Sequence, residues 1–189
     1  MSLVRGTEIP TIDVNLVTVS VEGGAEIALD TASSVAVEPQ IETIDAVKLI
    51  VKGVLKAQKL ETSTLTGHKI TLKDNVFTPE LVKILQGGTI IKDTEGSDPN
   101  KIIGYRPPVV GSNEKGSIFT LHCYSAQYNT AGQIVQYERT TYPNCQGVPV
   151  AFGAEDGTFR VNEYTINSAP ANGESPYEID YVASLPTIS

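Results

Sequence analysis

The sequence predicts a mostly β fold, a β-sandwich or partly closed barrel with one short α-helix. The 16 glycines and 11 prolines fall mostly between short apolar runs, which is how turns separate strands in an all-β chain. Several of these runs alternate apolar and polar residues with the period of a strand. A chain of 189 residues, 40% hydrophobic and 19% charged, has the size and composition of one folded domain. We therefore expect a single domain over residues 1–189, with long loops and with residues 1–40 as an N-terminal arm or loop-rich segment.

The first probable strand covers residues 12–21. Its apolar residues alternate with polar neighbours up to Leu16 and continue from Val17 in the opposite phase, which predicts a β-bulge. Residues 23–40 lack a clean period and contain a Gly-Gly pair and a proline. We predict an arm or a long loop there.

Residues 44–60 fit a strand better than a helix. Their β-branched residues and glycine weaken a helix, and a helix would place Lys48, Lys52 and Lys56 four residues apart, where like charges repel. In a strand, Val47, Leu49, Val51 and Leu55 would face the core, and the lysines would share the other face with Ile50 and Val54. This segment is the candidate self-assembly strand, with the apolar residues Val47, Leu49, Ile50, Val51, Val54 and Leu55.

One helix is predicted at about residues 79–86. Thr78 suits the N-cap and Pro79 the first helical position, where a missing N–H costs nothing. Gly87 or Gly88 would end the helix. An apolar stripe of this two-turn helix would lie against a sheet or close the end of a sandwich; it consists of Leu81, Val82 and Leu85.

The other strands bring the expected total to about eight or nine; they are predicted at 69–73, 89–92, 101–106, 117–128, 133–142, 148–152, 158–166 and 177–182. The strands 117–128 and 133–142 should form a hairpin, in a register that puts Tyr124 opposite Tyr137. In the last strand, acidic residues alternate with Tyr177 and Ile179, which predicts one wet, acidic face.

Charge and chemical motifs argue against several classes of function. With 22 acidic and 14 basic residues and a net charge of −8, tight binding to DNA or to an anionic membrane is not expected. We find no signal peptide and no apolar run of membrane-spanning length, so synthesis in the cytoplasm is expected. Cys123 and Cys145 lack a metal-type spacing and should be buried, reduced thiols.

Catalytic motifs are not found in the sequence. It has no G-x-S-x-G nucleophile turn and no glycine-rich phosphate loop. His68 and His122 are expected in polar surroundings, and the acidic loop beginning at Asp93 lacks the spacing of a calcium site. We therefore expect no enzymatic activity, no metal and no cofactor. Sheet edges, by contrast, can join neighbouring molecules, so self-assembly is a physical option.

Five segments carry a family resemblance: GHKITLKDNVFTPELVKILQGG, KIIGYRPPVVGSNEKGSIFTLHCYSAQY, YERTTYPNCQGVPVAF, FRVNEYTINSAP and PYEIDYVASLP. They resemble the major tail tube proteins of tailed bacteriophages. The resemblance covers most of the chain from about Val47 onward and is weaker over the first 40 residues.

The resemblance implies a subunit of hexameric rings that stack into a hollow tube in the virion tail, made in the host bacterial cytoplasm. Its partners would be copies of itself and the tape measure, terminator and initiator proteins, while DNA would pass through the lumen without specific binding. A bridging loop is expected in residues 23–40, 93–100 or 107–116, with the candidate inter-subunit residues Asp93, Glu95, Asp98, Asn113, Glu114 and Lys115. The lysines of residues 44–60 are expected to face the outside or a subunit junction.

Two alternatives remain open on the sequence. The same tube could belong to a contractile tail or to a phage-tail-like bacteriocin. The chain could instead be a β-sandwich module that binds carbohydrate or a cell surface. Such a module would favour exposed aromatic residues and a signal peptide, whereas this sequence contains no tryptophan.

Overall fold

The computed structural model describes residues 9–24, 26–96 and 98–187. This part of the chain is mostly β with one helix, as predicted. In chain order the elements are β1 (Thr11–Val21), β2 (Glu26–Leu29), β3 (Ala32–Ile44), β4 (Val47–Val51), β5 (Val54–Lys59), β6 (Thr62–Asp74), α1 (Pro79–Gln86), β7 (Thr89–Lys92), β8 (Ile102–Arg106), β9 (Phe119–Tyr128), β10 (Ile134–Gly147), β11 (Asn162–Ser168) and β12 (Glu178–Val182).

The main sheet has the strand order β2-β1-β9-β10-β11-β6-β3, and β12 also pairs with β10. It bends over on itself in the manner of a sandwich, so that one core joins residues from its two ends. Val17 and Leu121 come from one end, and Ile70 and Ile166 come from the other; all four side chains are fully buried. The pairs β4-β5 and β7-β8 form two small separate sheets.

Helix α1 spans the predicted residues and covers one end of the core. Its apolar stripe of Leu81, Val82 and Leu85 is buried. Thr78 occupies the N-cap position in extended conformation, although its side chain makes no capping hydrogen bond in the described structure. Gly87 ends the helix with φ +82°, and its N–H donates to the Lys83 carbonyl at 2.8 Å.

The predicted bulge in β1 is confirmed. The pairing of β1 with β9 shifts between Ile12 and Leu16, and Asp13 there has a positive φ of 64°. The shift adds two residues to β1, so Ile12 and Leu16 stay on one face of the strand, while Val17 and Val19 on the other face lie in the core. The bulge thus lies before Leu16 and not at the change of phase between Leu16 and Val17, where the pairing with β9 is regular.

Residues 23–40, predicted as an arm or a long loop, consist mostly of strands, although residues 36–40 are exposed and belong to an arm formed by residues 36–66. These residues form a turn at Gly23, then β2 and most of β3, and Leu29 is buried in the core. Pro39 can belong to a strand because β3 lies at the edge of the sheet. A proline there, which has no N–H, need not remove a hydrogen bond between strands. Residues 1–8 of the predicted N-terminal arm lie outside the described residues.

The structure of residues 44–60 also differs from the single strand that was predicted. They form two strands joined by a tight turn at Lys52 and Gly53, whose φ values of 51° and 79° suit a type I′ hairpin turn. Every residue of β4 and β5 is exposed. The expectation that Val47, Leu49, Val51 and Leu55 face the core is therefore wrong.

Several details of the C-terminal half also need correction. Arg139, and not Tyr137, lies opposite Tyr124. The pairing begins one residue later than expected, with Ile134 opposite Tyr128, and an irregularity between Ile134 and Gln136 shifts the β9-β10 register by one residue more. Residues 148–152 and 158–161 are not strands. The predicted wet, acidic face of β12 carries Glu178, which is exposed, and Asp180, which is partly exposed and pairs with Arg139.

Candidate assembly surface

The most conspicuous surface feature is an exposed arm formed by residues 36–66. Every residue of this arm is exposed. Its shaft, residues 36–46 and 60–66, contains the outer parts of β3 and β6, and its tip, residues 47–59, is the β4-β5 hairpin. The arm joins the body of the protein at Gly67 and His68, which are buried.

Apolar side chains lie on both faces of the tip. Directly paired residues share a face, so the pairs Leu49–Ala57 and Val51–Val54 belong to one apolar face. The pair Ile50–Leu55 lies on the other face together with Lys48 and Gln58, because the register shifts after Leu49. A two-stranded hairpin is only marginally stable alone in water. The tip therefore has the composition of a segment that is covered by a partner.

The six candidate self-assembly residues are brought together on this tip. Val47, Leu49, Ile50, Val51, Val54 and Leu55 are all exposed large hydrophobic residues. A single strand with a core-facing row was expected here, and the structure shows instead an exposed hairpin; its role in self-assembly stays a prediction. The signal that was missed is the Lys-Gly dipeptide at 52–53, which suits the positive φ values of a hairpin turn.

Positive and negative charges are segregated along the arm. Residues 46–60 contain four lysines and no acidic residue, whereas the flanking residues 36–45 and 61–66 contain Glu38, Glu42, Asp45 and Glu61 and no basic residue. A positive tip therefore stands on a negative shaft. Charges arranged in this way orient a partner and accelerate its association.

Strand β12 supplies a second exposed apolar surface. Arg139 of β10 lies opposite Asp180 and donates from Nε to its carboxylate at 2.8 Å. This hydrogen bond lowers the pKa of Asp180 and raises that of Arg139. On the other face of the strand, Ile179 and Tyr181 are 48% and 58% exposed.

Tyr177, just before β12, joins this strand to the root of the arm. Its ring meets the His68 ring edge-on at 5.4 Å, and His68 meets Tyr142 in the same way at 5.5 Å. Burial lowers the pKa of His68. His68 was expected in polar surroundings; its aromatic neighbours are distant in sequence, so no local pattern could have indicated this packing.

The predicted inter-subunit loop at 93–100 is closed by its own hydrogen bonds. The Asp93 carboxylate accepts from the backbone N–H of Glu95 and Gly96, and the Asp98 carboxylate accepts from that of Asn100. Ser97 in this loop lies outside the described residues. Asp93, Glu95 and Asp98 thus form a polar turn, and whether it bridges subunits stays a prediction.

The other predicted loop, 107–116, is held against the end of α1. The Glu114 carboxylate accepts from the Gly88 N–H at 2.8 Å, and a Cβ on Gly87 would lie 3.0 Å from the Lys115 carbonyl oxygen. Asn113 is exposed. Glu114 and Lys115 therefore help to position the helix, while the loop exposes Val109 and Val110.

An aromatic cleft lies beside the helix, and its lining includes Phe77 just before the N-cap and Gln86 at the last helical position. The Arg160 guanidinium stands 5.3 Å from the Phe77 ring and 5.5 Å from the Phe152 ring. Tyr105 and Val150 complete much of the lining. Residues 151–161 are all exposed, so this cation–π cluster holds a loop that has no regular structure. No sequence pattern predicted this cluster, whose members lie far apart in the chain.

Reactive or metal-binding side chains are few in the described ranges. Both cysteines are free, and burial raises the pKa of the Cys123 and Cys145 thiols to about 12. Residues 9–24, 26–96 and 98–187 contain no group of three His, Cys, Asp or Glu placed to hold a metal ion. In the same ranges, no helix has the length and apolar character needed to cross a membrane.

No protein-family model and no curated protein sequence matches the chain. The likeness of the five segments to tail tube proteins therefore stays a prediction, and the exposed arm and strand edges are the features from which a function has to be inferred.

Proposed function

We propose that this chain is a structural protein that polymerises with copies of itself, as the subunit of a tail tube of stacked hexameric rings. The single observation that carries the proposal is the exposed arm of residues 36–66, with large apolar residues on both faces of its tip. Contiguous apolar surface of this kind on a folded protein is typical of an interaction site.

Open strand edges support the same proposal. The outer edge of β3 and the outer edge of β12 have no ladder partner among the described residues. Unpaired edges invite pairing with another chain, and a contact between two different surfaces of one subunit repeats into a ring or a filament. The role in a tail, rather than in another polymer, rests on the five resembling segments of the sequence.

The proposed tube is a conduit and has no catalytic role. Its partners would be sister subunits, together with the tape measure, terminator and initiator proteins of a virion tail. With a net charge of −8, the chain would present DNA with a wall to which a polyanion does not adhere.

Assembly of the purified protein tests the proposal. Size-exclusion chromatography with light scattering and negative-stain microscopy should show rings or tubes at high protein concentration. Leu49→Asp should reduce assembly by at least about tenfold, because it places a charge on the apolar tip face. Thr130→Asp is the matched control, since Thr130 is exposed in the β9-β10 turn outside the arm, and it should assemble as the native chain does.

Two results would count against the proposal. One is a native chain that stays monomeric at high concentration and also in the presence of a tail initiator complex. The other is normal assembly of Leu49→Asp, which would remove the arm from the interface. Circular dichroism should show that both variants keep the native fold.

A further inference from the structure

The main sheet splits beside β10. Cys145 of β10 pairs with Ser168 of β11, and Ser168 pairs in turn with His68 of β6. Nearer the start of β10, residues 137–141 pair instead with β12, while the shaft part of β6 pairs with β3. In the described part of the chain, β12 and the shaft share no ladder. Each of them therefore has an unpaired backbone edge at this split.

Apolar residues border the split on both sides. Ile179 continues the core-facing row of Val17, Cys123 and Thr140 across the paired strands. On the other side, Ile41 and Leu65 pair on the shaft and are both exposed. The two layers of the sandwich thus extend past the closed core and leave apolar side chains uncovered.

The borders of the split are acidic. Glu38, Glu42, Asp45 and Glu61 lie on the shaft, and residues 174–182 around β12 contain Glu174, Glu178 and Asp180 with no basic residue. Of these acids, Asp180 is engaged by Arg139. A segment that fits here must therefore be apolar, strand-forming and positively charged.

We propose that the split between β12 and the shaft receives the tip of a second copy of this chain. The tip has the three required properties: it is a β-hairpin, its faces carry Leu49, Ile50 and Val51, and it contains four lysines without an acidic residue. The inference rests on the proposed self-assembly and names the surface that accepts the arm. Because tip and split are different surfaces of one subunit, the contact is head-to-tail and can repeat around a ring.

Pairing across the split would be of the β-augmentation kind. Backbone hydrogen bonds along the free edge of β12 would supply the register, and the apolar rows would supply the buried area. The lysines would meet the shaft and the β12 segment, where opposite charges bring the subunits together in one orientation.

Two charge-reversed variants test this complementarity. The tip variant carries Lys48→Glu, Lys52→Glu, Lys56→Glu and Lys59→Glu, and the shaft variant carries Glu38→Lys, Glu42→Lys, Asp45→Lys and Glu61→Lys. Each alone should assemble at least about tenfold less than the native chain, because tip and split then repel. A 1:1 mixture should assemble again, since each reversed surface meets its complement in the other variant.

A control variant separates this effect from a general change in net charge. It reverses Lys83, Lys92, Lys101 and Arg106, which are exposed outside the arm, and should assemble as the native chain does. If the native chain assembles but the mixture of the two reversed variants does not, the split is not the receptor. If the native chain itself never assembles, the proposed function has failed first.

Crosslinking tests the location directly. Val51→Cys combined with Tyr181→Cys should give covalent dimers and a ladder of larger species with a short bis-maleimide. Val51→Cys with Ile103→Cys, which places the second thiol on the exposed surface of β8, should give at least about tenfold less product. Equal yields from the two pairs, or a crosslink confined within single chains, would overturn the inference. The native chain, whose own thiols are held in the fold with raised pKa values, sets the background.

Discussion

The ring of Tyr177 meets the ring of His68 edge-on, with centroids 5.4 Å apart. This contact joins the segment that leads into β12 to the root of the arm, so the two borders of the split share one aromatic cluster. Tyr142 completes the cluster, 5.5 Å from His68.

We predict different consequences for two tyrosines on the same side of β12. Tyr177→Ala should lower the free energy of unfolding by about 1–3 kcal/mol, because it removes two aromatic contacts and the buried area between them. Tyr181→Ala should change it by less than about 0.5 kcal/mol, since Tyr181 is largely exposed, yet it should weaken assembly. Urea denaturation and light scattering measure the two effects. Equal stability losses would show that Tyr177 does not anchor β12.

Stability should decrease as the pH falls below about 6.5. Burial lowers the pKa of both His68 and His122 from the ordinary value of 6.5, so the unfolded chain binds protons more readily than the folded one. The stabilisation is complete above pH 6.5 and is lost below it, with a slope of at most about 1.4 kcal/mol per pH unit for each histidine. The pKa of Asp180 is lowered from 3.8, so its contribution to stability is lost only at a more acidic pH, below about 3.8.

Histidine variants separate the two contributions. His68→Phe keeps an aromatic ring against Tyr142 and Tyr177, and His122→Gln keeps a hydrogen-bonding group near Thr141. The double variant should have a flat stability profile between pH 5 and pH 6.5, measured by urea denaturation. A profile with the native slope would mean that other groups cause the acid sensitivity.

Two glycines should respond very differently to alanine. A Cβ on Gly147 would lie 2.5 Å from the Leu85 Cα, so Gly147→Ala has to push α1 away from β10. We expect a loss of about 1–3 kcal/mol, the usual range for overpacking. Gly153 has no atom within 4 Å of its Cβ position, and Gly153→Ala should be neutral within about 0.5 kcal/mol. Thermal unfolding of both variants checks the contact between helix and sheet.

Salt should weaken assembly if charge orients the arm. The screening length falls from about 10 Å at 0.1 M to about 3 Å at 1 M salt. The assembly rate of the native chain should therefore fall at least about tenfold over this range, as followed by light scattering. The tip variant should respond in the opposite direction, because screening relieves its repulsion. An unchanged native rate would indicate that apolar burial alone directs the contact.

Local signals predicted part of this fold correctly. Pro79 and Gly87 marked the ends of α1, and β1 contains the expected bulge, although it lies before Leu16 and not at the change of phase between Leu16 and Val17. These features depend on residues close together in the sequence, whose chemistry restricts the backbone directly.

The errors arose where tertiary context decides the structure. Pro39 indicated a loop, but it is accommodated on an edge strand, and an edge exists only once the sheet has formed. The lysines near Gly53 were assigned to one strand, although they belong to a hairpin that reverses there. The split beside β10 could not be predicted, because it depends on β12 pairing with β10 through residues about 40 positions apart.

The same distinction holds for the candidate surface. The apolar residues from Val47 to Leu55 were correctly expected to form β-structure. Their exposure was not expected, because a strand with two apolar faces fits a buried position as well as a contact with another molecule. Only the position of the arm outside the body separates these two possibilities.

The central claim is that the tip of the arm completes its packing in a neighbouring molecule. Negative-stain microscopy of a 1:1 mixture of the tip and shaft charge variants, beside each variant alone, tests it most directly. We expect rings or tubes in the mixture and dispersed particles in the separate samples. Dispersed particles in all three, under conditions where the native chain forms rings, would contradict the claim.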